Sequence, residues 1–189
     1  MKLLALVFCL AVPIAAQSPP AKAAAPPPTL RSILLAQLRS THTKEEWFVP
    51  VNIAVANLTP EQAKWIPKSE GPNNPAPADH SVGMIANHLY FWNAQSLAHM
   101  KGEKGAAPPS DNKETFNEFD AKSWPSTAQK LDQVLTDLEH LVETGSDEQL
   151  AKWADGIAHI SAHNAYHVGQ IIYIRKLQGT WDPEKGVKQ

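Results

Sequence analysis

The stretch that decides the reading runs Asp155-Gly-Ile-Ala-His159-Ile-Ser-Ala-His163-Asn-Ala-Tyr-His167-Val-Gly-Gln-Ile-Ile-Tyr-Ile174. Its histidines recur every four residues, one helical turn plus about 40° of rotation, so neighbours in the series share one face of a helix. On a wheel of ~100° per residue with His163 at zero, His167 falls near ~+40°, Ile174 near ~+20°, Ile160 near ~+60° and His159 near ~−40°. The apolar stripe through Ile160 and Ile174 faces a core. His163 and His167 straddle its centre, while His159 lies toward its edge and is the weaker candidate for inward chemistry.

Two histidines one turn apart do not complete a metal site, because a tightly held zinc-like ion usually takes three protein ligands and leaves a position open. His88 is the best third ligand. It sits between Ile85 and Trp92 on the apolar side of another helical pattern, where an unpaired polar ring is costly to bury. His99 lies on a similar face but about 16 Å along the axis from His88, too far to share an ion. His42, His80 and His140 read as solvent-facing or hydrogen-bonded residues. The i, i+4 spacing also occurs in zinc proteases, but Asn164 follows the first histidine and cannot serve as a general base, which disfavours that chemistry.

Working outward, the chain divides into four helical patterns separated by Pro, Gly and Asn. The first opens at Thr29 and carries Leu30, Ile33, Leu34, Leu38 and then Trp47 and Phe48 at near-helical spacing. After Pro50, the segment Thr59-Pro60-Glu61 caps a short turn. Residues 69–79 are rich in Pro and Asn and read as a loop. Ser81 caps the second helix, which runs to about Lys101. A second loop extends to about Trp124, with Phe116 and Phe119 marking a part that packs on the domain. The third helix starts at Ser126 or Thr127 and reaches Gly145. The fourth starts near Asp155 and ends at Gly179, with Arg175 and Lys176 favoured in the last turn by the helix dipole. Strand signals are nearly absent. The expected fold class is all-α, a four-helix bundle, an architecture in which metal sites are built from inward side chains on facing helices.

The chain has 189 residues, 43 % of them hydrophobic, enough for one domain with its own core. Its 17 basic and 19 acidic residues are dispersed and give a formal charge of −2. No basic block exists to neutralise phosphates, so no nucleic acid is expected as partner. Residues 1–16 carry Lys2, an apolar run from Leu3 to Val12, Pro13 and small Ala15 and Ala16, the pattern of a secretory signal peptide. Residues 17–28 are a Pro/Ala-rich linker that behaves as an extended tether, and residues 29–189 form the domain. The expected location is periplasmic or secreted in a bacterium, with no membrane association after the signal is removed. Cys9 is the sole cysteine and lies in the signal, where the preceding Phe8 fits a lipobox poorly. The mature chain therefore offers no thiol, and any metal must use His, Asp or Glu.

At Ser81-Val-Gly-Met-Ile-Ala-Asn-His88-Leu and His159-Ile-Ser-Ala-His163-Asn-Ala-Tyr-His167-Val-Gly-Gln-Ile-Ile-Tyr-Ile-Arg175, followed by Gly179, the sequence resembles the DinB-like superfamily of four-helix metalloproteins, which includes the YfiT-like proteins. The resemblance spans about Thr29 to Trp181. It implies a divalent ion, commonly zinc or nickel, held by one histidine of the second helix and an H-x3-H pair of the last. By position these are His88, His163 and His167. Some relatives are transferases or isomerases that use a low-molecular-weight thiol as cofactor, whereas the same open site could instead activate a water for hydrolysis; the expectation is a metal-dependent group transferase or hydrolase acting on a small-molecule substrate. Homodimers fit the family and are not legible in composition. Two departures stand out: thiol cofactors are mainly cytosolic whereas this chain carries an export signal, and Val168 occupies a position that is often arginine in relatives. The other reading is a non-catalytic exported metal- or ligand-binding bundle, whose site would be closed by a fourth ligand such as Asp155 or Glu46. A metal-free interaction bundle would keep the three histidines apart. Gln170 and Asn164 are expected to pack or to meet solvent, with hydrogen bonding to a ligand ring as the other reading; Gly169 is expected to permit close helix approach, and Trp47, Trp92 and Trp153 to fill the core.

Overall fold

The computed structural model describes residues 27–68, 80–117 and 119–187. The signal-peptide segment, all of the linker but its last two residues, and the loop of residues 69–79 lie outside them. Seven α-helices are present, α1 (Leu30–His42), α2 (Val51–Val55), α3 (Pro60–Lys64), α4 (Val82–Lys101), α5 (Glu114–Asn117), α6 (Trp124–Thr144) and α7 (Asp147–Gln178), with no strand among the described residues. This is an all-α fold. Among the described residues no helix is long and apolar enough to cross a membrane.

Helix ends follow local chemistry. Thr29, Thr59, Ser81 and Ser146 each accept a backbone N–H of the first turn, an interaction that stabilises a helix start by about 1 kcal/mol. Ser146 decides the largest departure from expectation. It forms a reciprocal capping box with Gln149, and Asp147 and Glu148 occupy the first turn, where the dipole favours negative charge. The last helix therefore starts at Asp147 rather than near Asp155, and Gly156 falls inside it. α7 spans 32 residues, about 48 Å at the usual rise. It ends at Gly179, whose φ of 75° is open to glycine. The third long helix starts at Trp124 with Pro125 in its first turn, a little before the expected Ser126. α1 stops at His42, so Trp47 leaves the helical spacing that placed it in the core and stands 92 % exposed.

The four long helices pack as a ring: α1 lies against α6 and α7, and α4 lies against the same two. Leu38 of α1, Ile85 and Leu89 of α4, Leu131, Leu135 and Leu138 of α6, and Ile157 and Ile171 of α7 are fully buried. Each such side chain stabilises the fold by roughly 2 kcal/mol. α4 and α7 run antiparallel, since His88 meets His167 towards one end of the seam and Met100 lies beside Gly156 towards the other. Gly83 at the start of α4 is buried under the ring of Phe119, which an added Cβ would meet at 2.2 Å. That close approach holds the α5 segment across the first turns of α4, as Phe116 and Phe119 lead one to expect.

Candidate metal centre

The structure brings His88 of α4 together with His163 and His167 of α7, one nitrogen from each lying within 4.8 Å of the others. Two of the rings are oriented by neighbours whose chemistry fixes their protons. The Thr115 hydroxyl donates to the Asn112 carbonyl at 2.6 Å, so its lone pair accepts Nδ1–H of His88, also at 2.6 Å. His167 Nδ1–H donates to the amide oxygen of Gln170 at 2.7 Å, and Gln170 donates in turn to the Tyr166 hydroxyl at 3.0 Å. Both imidazoles therefore carry their proton on Nδ1 and keep the Nε2 lone pair.

His163 supplies the fit test for a cation. Its Nε2 faces His88 Nε2 at 3.0 Å, and its buried Nδ1 has no hydrogen-bond partner among the described residues. If His163 carries its proton on Nε2, a bare Nδ1 is buried; if on Nδ1, an unpaired donor is buried and two lone pairs confront each other. A cation between the facing nitrogens resolves that confrontation. Tetrahedral ligands at about 2.0–2.1 Å from zinc stand about 3.3 Å apart, close to the separation seen. The residues present fit a divalent ion.

The electrostatics point the same way. Burial, then the neighbouring charges of His167, His163 and His80, pushes His88 down to about 3. Burial and the charge of His163 push His167 down to about 4, against the opposing hydrogen bond to Gln170. Burial lowers His163 as well. All three shifts favour the uncharged ring, the form that binds a metal.

The triad forms the inner end of an open cavity of about 600 Å³ lined also by Trp92, Ser96, Asn112, Phe116, Gly156, His159, Ile160 and Tyr166. Phe116 stacks on His88 with ring centroids 3.9 Å apart and planes within 9°. Among the described residues no fourth histidine or carboxylate joins the cluster. Glu46 instead pairs with Lys44, and the exposed Asp155 pairs with the exposed His159. This arrangement leaves one side of the triad facing the cavity, and the three histidines converge where a metal-free bundle would have kept them apart.

The family model of the DinB superfamily matches residues 51–171. The chain belongs to the DinB superfamily. The matched span contains all three histidines of the cluster together with α4 and α6. No curated protein and no solved structure matches the chain.

The remaining residues singled out in the sequence divide between expectation and correction. Asn164 is fully buried and exchanges two amide hydrogen bonds with Asn93 rather than bonding a ligand ring. Gly169 allows no close approach, since a Cβ there would meet nothing within 4 Å. Trp92 is half-buried in the cavity wall and donates to Asn112, so it belongs to the pocket rather than the core. Gln170 does bond a histidine of the cluster. Thr115, which orients His88, has no signal of its own in the sequence: the polar stretch around it lacks helical periodicity and reads as a loop, though it forms the short α5, and only the adjacent Phe116 signals that this stretch reaches the domain.

Proposed function

We propose that His88, His163 and His167 hold one divalent metal ion, zinc or nickel, and that the protein is a metal-dependent group transferase or hydrolase acting on a small molecule. The observation that carries this reading is the convergence of three imidazoles at one end of an open cavity, with no fourth histidine or carboxylate joining them among the described residues. A closed set of four protein ligands would favour a structural site, and an open set favours catalysis. Membership of the DinB superfamily supports the same reading.

A bound divalent ion supplies positive charge that lowers the pKa of a thiol or a water placed beside it. The chain's own residues do the rest. Thr115 and Gln170 hold the ring planes of His88 and His167. Trp92, Phe116 and Tyr166 contribute aromatic surface to the cavity wall. The Tyr166 hydroxyl, which accepts from Gln170, keeps its own proton free for a group entering from the rim. The signal-like segment, Lys2 to Ala16, supports an exported protein.

The test is a comparison of metal-loaded and chelated protein on thioether-forming and ester- or amide-cleaving substrates, with His163→Ala as control. Turnover by the loaded parent alone supports the reading. Turnover that is indifferent to metal and to His163→Ala overturns it.

A further inference from the structure

The cavity is a groove along two antiparallel helices. α4 contributes His88, Trp92 and Ser96, one turn apart, and α7 contributes His167, His163, Ile160 and Gly156 in the opposite sense. From His163 to Gly156 is about 10 Å along the helix axis, so the groove leads away from the triad for the length of an extended small molecule.

Two properties of its wall bear on what it takes. First, among the described residues none that lines it carries a carboxylate, ammonium or guanidinium; outside the triad their titratable groups are His159 and Tyr166. A ligand with a charged body would leave water for a wall that offers no counter-charge, which is costly. Aromatic rings line it instead, Phe116 stacked on His88 and Trp92 set edge-on to it, and such rings favour flat apolar partners. Second, Gly156 sits in the interior of a 32-residue helix, where glycine is less favourable than alanine. A Cβ there would meet one atom within 4 Å, the flexible end of Met100 at 3.3 Å. The missing side chain is therefore not demanded by packing. It leaves the far end of the groove open.

We propose that the groove takes a molecule with one metal-ligating atom at one end and an uncharged, largely aromatic body, and that Gly156 sets how long that body can be. The inference rests on the proposed metal site for the ligating end, and on the groove alone for the body.

The probes are N-phenyl-1-naphthylamine and 8-anilinonaphthalene-1-sulfonate, which share a ring framework and differ by one negative charge. Each is titrated by fluorescence into the full chain as purified and after addition of zinc, with bound metal measured in parallel. The uncharged probe should bind at least tenfold more tightly. Gly156→Leu, and Ser96→Leu from the opposite wall, should weaken it at least fivefold while thermal unfolding and metal content stay at the parent's level. Equal or tighter binding of the sulfonate overturns the proposal, as does unchanged binding in both variants. Absence of bound zinc with the probe results as expected would sink the metal reading and leave the account of the groove standing.

Discussion

The Nε2 atoms of His88 and His163 face each other at 3.0 Å across the seam between α4 and α7. His88 can take part only because Thr115, itself tied to the Asn112 carbonyl, claims its other nitrogen. Thr115→Val keeps the shape and removes the acceptor. It is expected to weaken zinc affinity by about 10-fold, the lower end of the usual effect of such supporting residues. Competition with a chromophoric chelator measures this. An unchanged affinity would show that Thr115 does not orient the ring.

Asn93 and Asn164 form a second link between the same helices, each fully buried and each donating to the other's amide oxygen at 2.8 and 3.0 Å. Asn164→Ala leaves the Asn93 amide short of partners in a dry place. The expected cost is about 1–3 kcal/mol, read as a lower midpoint in urea with the slope preserved. A double change to Leu at both positions should recover part of that loss, since no polar group then remains unpaired.

His42 sits buried between two carboxylates, Nδ1 2.7 Å from Glu139 and Nε2 3.0 Å from Asp132. Burial alone would lower its pKa, but the hydrogen bonds and charges of Glu139 and Asp132 outweigh it and raise the pKa above 6.5. The hydrogen bond from His42 holds Asp132 below 3.8, against the effect of its partial burial. For the raised histidine, the stabilisation is complete below 6.5 and is lost as pH rises through the folded value; for the lowered aspartate, it is present above 3.8 and lost as pH falls through the folded value. The latch therefore contributes most between these limits. His42→Gln should flatten the dependence of stability on pH above 6.5, in chemical unfolding repeated from pH 5 to 9. A parent-like profile in the variant would contradict this.

Arg175 is buried near the end of α7 and donates to the Ala54 carbonyl of α2 at 2.7 Å and to the Thr180 carbonyl at 2.9 Å, with its guanidinium over Trp181. Its planar fork ties together chain ends that have lost their helical partners. Arg175→Ala is expected to cost about 2–3 kcal/mol, and Arg175→Lys should not restore it, because a lysine cannot reach both carbonyls in one plane. Thermal unfolding distinguishes the two, and full rescue by lysine would count against the fork.

The helical class and the membership of His88, His163 and His167 in one cluster were legible because both depend on periodicity. The stripe through Ile160, His163, His167 and Ile174 needs no knowledge of the partner helices. What periodicity could not supply is the start of α7, which a capping box at Ser146 sets independently of the histidine pattern, and the end of α1, which leaves Trp47 in solvent. Arg175 read as a cation complementing the helix dipole, and its burial depends on α2, far away in sequence. Thr115 and Trp92 acquire their places only when the α5 segment folds back over α4.

The most direct measurement is elemental analysis of the full chain purified without an affinity tag, beside His88→Ala, His163→Ala, His167→Ala and, as control, His159→Ala. His159 is exposed and stands outside the cluster, so its loss should leave the metal in place. The account expects one equivalent of zinc or nickel in the parent and in His159→Ala, and loss from each of the other three variants. A parent that takes up no divalent metal even after reconstitution, or triad variants that retain a full equivalent, would contradict it.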